Sequence, residues 1–267
     1  MSKVVLITGA SSGIGLSIAN FLLEKGFVVY GTSRSSKNAA SYAFNLVELD
    51  VLNVATIEKA VSFIIQKEGK LDVLVNNAGM GITGPIEDTP TDEMRKVFDT
   101  NLFGAIDVMK TVLPQMRKQQ SGTIINVTSI AGYMGLPYRG MYSASKGALE
   151  LVTEATRMEV KNFGIDIVNV APGDFATNIA AGRYHTPVFE NSAYKKVYKE
   201  NLALMDAHVT SGMDPIEMAK AVFKVINTQK PKGHYKVGGF MEKFSIVLKR
   251  ILPDKMYEKL LMNHYKL

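Results

Sequence analysis

The chain contains no cysteine. That absence excludes disulfides, cysteine nucleophiles and thiolate metal centres, and it accords with a reducing, cytoplasmic setting. Histidine is scarce: His185, His208, His234 and His264 are too scattered for metal-ligand spacing, so no metal is expected. No apolar stretch approaches the roughly 20 residues of a membrane span, and the run after Met1 is too short for a secretory signal. An arginine-rich block, an internal repeat and a low-complexity segment are also missing. The net charge of +6 is spread through alternating bases and acids. Bound nucleotide phosphate accounts for that charge as well as nucleic acid would, and without a recognition motif nucleic acid is not an expected partner.

What is present is enough apolar sequence, 46% of 267 residues, to bury one full core, and no linker divides it. Short β-branched runs recur between helical patterns: Val4 to Thr8, Phe27 to Gly31, Leu46 to Val51, Leu71 to Asn76, Thr123 to Thr128, Ile165 to Val170 and Tyr235 to Val237. This alternation predicts a single α/β domain, a parallel sheet with helices on both faces. Ile14, Ile18, Ala19, Leu22 and Leu23 are spaced for a helix packed on the sheet, with Gly26 at its end.

The turn before that helix reads Thr8-Gly9-Ala10-Ser11-Ser12-Gly13-Ile14-Gly15. Glycines let the backbone turn tightly and approach a ligand, and a helix N-terminus favours phosphate, so the segment reads as a pyrophosphate cradle. A purely structural glycine turn is the competing account. A site selective for the non-phosphorylated dinucleotide would place an acid about 20 residues further on. The stretch there is Gly31-Thr32-Ser33-Arg34-Ser35-Ser36-Lys37, which has no carboxylate, and Arg34 with Ser33 suits a 2′-phosphate. NADP(H) is therefore preferred over NAD(H).

Tyr142 and Lys146 stand four residues apart, on one face of a helix. An ammonium beside a phenol stabilises the phenolate and equips a tyrosine for acid/base work. Taken alone, the spacing favours a plain surface pair one turn apart.

Read together, Thr8-Gly9-x-x-x-Gly13-Ile14-Gly15, Asn76-Asn77-Ala78-Gly79, Asn101, Ser129, Tyr142-x-x-x-Lys146, and Pro172-Gly173 followed by Thr177 resemble the short-chain dehydrogenase/reductase family in order and spacing. The resemblance implies a doubly wound, Rossmann-type sheet and hydride transfer between a nicotinamide and a carbonyl or alcohol. By position it implies that Tyr142 is the general acid/base and that Ser129 orients the substrate oxygen. Lys146 would lower the Tyr142 pKa and hold the nicotinamide ribose, while the Asn101 backbone carbonyl would hold a relay water. It also implies Gly9, Ser12, Gly13 and Ile14 around the pyrophosphate, Asp50 and Val51 at the adenine edge, Asn77 and Ala78 along the adenosine ribose side, Gly79 as a further cofactor-binding residue, and Pro172, Gly173 and Thr177 beside the nicotinamide.

Specificity is expected in 178–213, a lid segment with Tyr184, Phe189, Tyr194, Tyr198 and Met205. These residues, with Met134, Pro137 and Tyr138, either line an apolar pocket or fill the core. The extension 240–267 reads as two amphipathic helices: Phe244, Val247, Leu248 and Ile251, then Met256, Tyr257, Leu260, Leu261 and His264 after Pro253. Lys243, Lys249, Arg250, Lys255 and Lys259 on their polar sides would suit a membrane surface, but packing on this or a partner subunit is favoured. The expected protein is a homo-oligomeric oxidoreductase acting on an apolar small-molecule carbonyl or alcohol. A dinucleotide-binding redox sensor without turnover is the alternative.

Overall fold

The β-branched stretches pair into one sheet in the computed structural model, which describes residues 2–35, 37–177, 182–188 and 190–267, the side chains of 208–210 excepted. The first half runs β1 (Val4–Ile7), α1 (Gly13–Glu24), β2 (Val28–Ser33), β3 (Asn45–Glu48), α2 (Val54–Glu68), β4 (Val73–Asn76), a short β5 (Ile82–Thr83), α3 (Thr91–Phe98) and α4 (Ala105–Gln119). There follow β6 (Gly122–Val127), α5 (Gly140–Glu159), β7 (Ile165–Pro172), a short β8 (Tyr184–His185), α6 (Lys195–Thr210), α7 (Ile216–Ile226), β9 (His234–Val237), α8 (Phe240–Ile251) and α9 (Asp254–Tyr265). The main sheet is parallel throughout, in the order β3-β2-β1-β4-β6-β7-β9, while β5 and β8 form a separate parallel pair.

Alternation along each strand divides the core. Val5 and Ile7 point to one face with Ile18, Ala19 and Leu22 of α1 and Met218 and Val222 of α7. Val4 and Leu6 point to the other, against Ile57 and Ile64 of α2 and Val108, Val112 and Met116 of α4. Each such Val, Leu, Ile or Met side chain, fully withdrawn from water, contributes about 1.5–3 kcal/mol. The near-continuous apolar character of the strands thus follows from burial on both sides. Helix ends follow local chemistry: the Asn53 side chain accepts the Ala55 N–H at 3.1 Å to start α2, and Gly69 ends it with φ 72°.

From β1 the chain winds outward to β2 and β3, then returns and continues through β4 on the opposite side. The order reverses between β1 and β4, so a crevice opens at their carboxyl ends, where ligands bind in doubly wound sheets. Among the described residues, no helix is long and apolar enough to cross a membrane.

The two expected C-terminal helices are present and pack on this same chain. Ile246 and Tyr257 are buried with Ile130, Met134 and Ala171. Tyr265 is buried with Tyr198 and Met205 of α6. Phe240, Met241, Val247 and Ile251 stay exposed on the outer side of α8.

Candidate active site

At the reversal of strand order, Gly9 adopts φ 65° and Gly13 φ 55°, both in the left-handed region. Gly15 is required for another reason: a Cβ there would lie 2.3 Å from the Gly9 carbonyl oxygen. The Thr8 hydroxyl accepts the N–H groups of Asn77 and Ala78, each at 3.0 Å, while the Asn77 amide donates to the carbonyls of Thr8 and Gly9 at 3.0 and 3.1 Å. These bonds staple the β1 turn to the β4 turn. Ser12 caps α1 by backbone geometry alone, with no side-chain cap bond, and the first turn of the helix has no acid. The positive end of the helix dipole is therefore not offset from within.

A cavity of about 520 Å³ runs from this turn along the crevice. Gly9, Ser12, Gly13 and Ile14 line it at the turn, Ser33 and Arg34 at one end, Asp50 and Val51 beside them, and Asn77, Ala78 and Gly79 along the β4 loop. Tyr142, Lys146, Pro172 and Thr177 lie at the other end. Arg34 is exposed and Ser33 half-buried. Bare helix N–H groups, a backbone surface that a Cβ would fill and a volume in the ligand-site range together fit a dinucleotide.

A second cavity of about 60 Å³ adjoins the first, sharing Ile14, Gly81, Tyr142, Pro172 and Thr177 with it and adding Ser129 and Gly173. Gly173 thus borders this smaller space rather than the larger one. Ser129 leads from β6; its Oγ accepts the Ala131 N–H at 3.1 Å, which fixes the oxygen and leaves the hydroxyl proton available for donation. Tyr142, on the first turn of α5, is thus among the residues that border both spaces.

Lys146 follows one turn later and is buried, its Nζ donating to the Val127 carbonyl at 2.9 Å. Burial lowers its pKa from the ordinary lysine value to about 8, so the ammonium persists at neutrality but is readily deprotonated above it. A Cβ at Gly79 would stand 3.3 Å from Nζ, so the bare glycine leaves room for the ammonium. Asn101 lies in a π-helical turn, Asp99–Gly104, between α3 and α4. Its side chain accepts the Met80 N–H at 2.8 Å and donates to the Met80 carbonyl at 2.9 Å and to Ser145 at 3.1 Å. The side chain is thus committed to structure, and its backbone is held in the irregular turn geometry often found at functional sites. The π turn itself is tied to the sheet, because Asn76 donates to the Ala105 carbonyl and to Asn126, each at 3.0 Å.

The segment expected to supply an apolar pocket behaves differently. Neither cavity is lined by Tyr184, Tyr194, Tyr198 or Met205, nor by Met134, Pro137 or Tyr138. Tyr198 and Met205 fill the cluster around Tyr265, Tyr138 packs against it, and Met134 joins the cluster around Tyr257. Phe189 and the start of the segment, Asn178, lie outside the described residues. The smaller cavity instead carries Arg139, Asp174 and Arg183 beside Ile82 and Phe175. Motif reading missed these charged residues, and the only signal in the chain is their nearness to Tyr142, Pro172 and Thr177. Among the described residues no acidic and histidine cluster could hold a metal.

A glycine turn at the reversal point of a doubly wound sheet defines a Rossmann-type nucleotide-binding protein. The chain belongs to the short-chain dehydrogenase/reductase family of oxidoreductases: the family profile described as short chain dehydrogenase matches residues 3–187. It is 39% identical over 264 residues to the 3-ketodihydrosphingosine reductase of Bacteroides thetaiotaomicron, covering 98% of both chains. It is 28% identical over 277 residues to the NADPH-dependent 3-dehydrocapnine reductase of Ornithobacterium rhinotracheale, covering 99% of this chain and 98% of that protein. A solved structure of a short-chain dehydrogenase from Streptomyces avermitilis matches with a TM-score of 0.81 at 31% identity, covering 97% of each chain.

Proposed function

We propose that the protein is an NADP(H)-dependent oxidoreductase that interconverts a carbonyl and a secondary alcohol on a small-molecule substrate. The observation that carries this reading is the position of Tyr142 on both cavities, one the size of a dinucleotide and the other containing Ser129. When bound, the nicotinamide supplies or accepts the hydride. Ser129 donates its hydroxyl proton to the substrate oxygen and holds it beside Tyr142. Tyr142 delivers a proton to that oxygen in reduction and removes it in oxidation. Lys146, as an ammonium, stabilises the tyrosinate, and its contact with the larger cavity suits the ribose. The Asn101 backbone carbonyl is assigned the relay water.

For the cofactor, the exposed guanidinium of Arg34 beside Ser33, with no acid in that stretch, favours the 2′-phosphate form. The NADPH dependence in the name of the Ornithobacterium relative supports the same preference. Residues 178–213 are proposed as the lid, since Gly182 and Arg183 border the site. Ile14, Ile82 and Phe175 support an apolar portion on the substrate, and two relatives are named as reductases of 3-keto or 3-dehydro compounds. Leu151 and Met158, exposed one heptad apart on α5, favour assembly of copies.

The test is loss of nicotinamide absorbance with a panel of ketones and aldehydes. Wild type turns over at least one of them, and Tyr142→Phe lowers kcat by roughly 10²–10⁴ with NADPH affinity intact. Substantial turnover by Tyr142→Phe would overturn the mechanism. Cofactor binding by wild type without turnover of any carbonyl would favour the sensor.

A further inference from the structure

Arg183 is an unusual side chain to find against a site built for an uncharged carbonyl. It immediately precedes β8, whose backbone is clamped to β5: Tyr184 N–H donates to Gly81 at 3.0 Å, and Thr186 N–H donates to Thr83 at 2.9 Å. A Cβ at Gly81 would stand 3.0 Å from Arg183 Cγ, so the aliphatic stem passes directly over that glycine. The side chain is only 5% exposed, yet it lines the cavity that holds Ser129 and Tyr142. Its Nη1 makes no hydrogen bond. Nη1 forms an ion pair with Asp206 Oδ1 on α6 at 3.5 Å, longer than the 2.7–2.9 Å of a charge-assisted bond.

A second cation occupies the same cavity. Arg139 lies over the Tyr142 ring at 5.5 Å and hydrogen-bonds Tyr265 of α9. Burial and the charge of Arg139 both disfavour the charged form of Arg183. Arginine does not lose its proton within proteins, and Asp206 and Asp174 offset these penalties only in part. The acid on the cavity wall is Asp174, whose charge favours that of Arg183. Glu242 of α8, which accepts the N–H groups of Asp174 and Gly239 at 2.6 Å, is committed to holding the loop. Two cations converging on one small space, one with an unsatisfied buried donor, form a receptor for an anion.

We propose that Arg183, assisted by Arg139, binds an oxyanion carried by the substrate close to its reacting carbonyl. The group is of the carboxylate or phosphate class, which matches the planar fork of a guanidinium. This inference rests on the reading that the smaller cavity receives the carbonyl. With about 60 Å³ there, the space accommodates a short oxyanion head with the few apolar atoms that meet Ile14, Ile82 and Phe175, and leaves any longer chain outside it. Arg183 then determines specificity and register: it holds the head so that the carbonyl meets Ser129 and Tyr142.

The test pairs substrates with binding. The substrate arm compares acetoacetate and longer 3-oxo carboxylates with their methyl esters, and 2-oxopropylphosphonate with its dimethyl ester, which separates the carboxylate from the phosphate-like source. Wild type favours an anion over its ester by about tenfold or more in kcat/KM. Arg183→Met brings that ratio close to one, and Arg183→Lys restores part of it because charge returns without the fork. The binding arm titrates 3-hydroxybutyrate and 2-hydroxypropylphosphonate into the NADP-loaded protein by calorimetry. Wild type and Asp206→Asn bind at least one of them, and Arg183→Met does not.

Turnover of neutral ketones with no anion preference and no anion binding overturns this inference and leaves the oxidoreductase reading standing. Anion binding that depends on Arg183, with no turnover of any carbonyl, supports the anion site and overturns the oxidoreductase reading. If Arg183→Met does not fold, Arg139→Met and Arg183→Lys carry the comparison: an unchanged anion-to-ester ratio in both rejects the proposal.

Discussion

The two cavities of the crevice are built on opposite terms. Around the larger cavity, backbone dominates: a turn with two glycines at positive φ, a staple of bonds among Thr8, Gly9, Asn77 and Ala78, and a helix end without an acid. Around the smaller one, long side chains from distant segments converge, with Arg139 from the start of α5, Asp174 after β7 and Arg183 before β8. α8 and α9 brace these through Glu242 and Tyr265. A backbone-built site recognises a constant ligand and tolerates little change, whereas one assembled from loop side chains can vary its specificity while the scaffold stays as it is.

The largest effect on the backbone-built side is expected from Gly15→Val. Its Cβ would sit 2.3 Å from the Gly9 carbonyl, so NADPH binding, followed by fluorescence, is expected to be lost and Tm to fall. Retained binding would mean that the turn is not the cradle. On the other side, Tyr265→Ala empties part of the cluster with Tyr198 and Met205 and costs about 3 kcal/mol or more. There KM for the carbonyl should rise while NADPH affinity holds, and equal losses in both would erase the division. Arg34→Ala should weaken NADPH by about tenfold and leave NADH unchanged in parallel titrations.

The smallest effect is on pH dependence. Lys146 is an ammonium below about 8 and loses its proton above, so kcat/KM for reduction should decline as pH rises through that value. Lys146→Arg, which keeps its charge, should remove that decline even where absolute activity drops. An unchanged alkaline limb would assign it to another group.

Legibility followed the same line. The parallel sheet, α1 and its glycine turn, and the two C-terminal helices could all be anticipated, because period, β-branching and glycine placement are local properties. Boundaries shifted where tertiary pairing decided them: the stretch expected from Leu71 begins pairing as β4 at Val73, and β7 runs on to Pro172, whose partner in β9 is Val237. Tyr198 and Met205 had two readings, pocket lining or packing, and burial with Tyr265 decided for packing. Arg139 and Arg183 carry no motif, so only the fold exposes their convergence.

By itself, the sequence determined the family, the architecture and the order in which the chemical groups occur along the chain. Those follow from short-range rules and from spacing within single elements. The tertiary structure decided which groups share a space. Residues 44 positions apart, such as Arg139 and Arg183, meet only after β5 and β8 pair and Tyr265 of α9 bonds Arg139. Side chains that meet across such separations do so because of the path of the chain, and no local pattern encodes it.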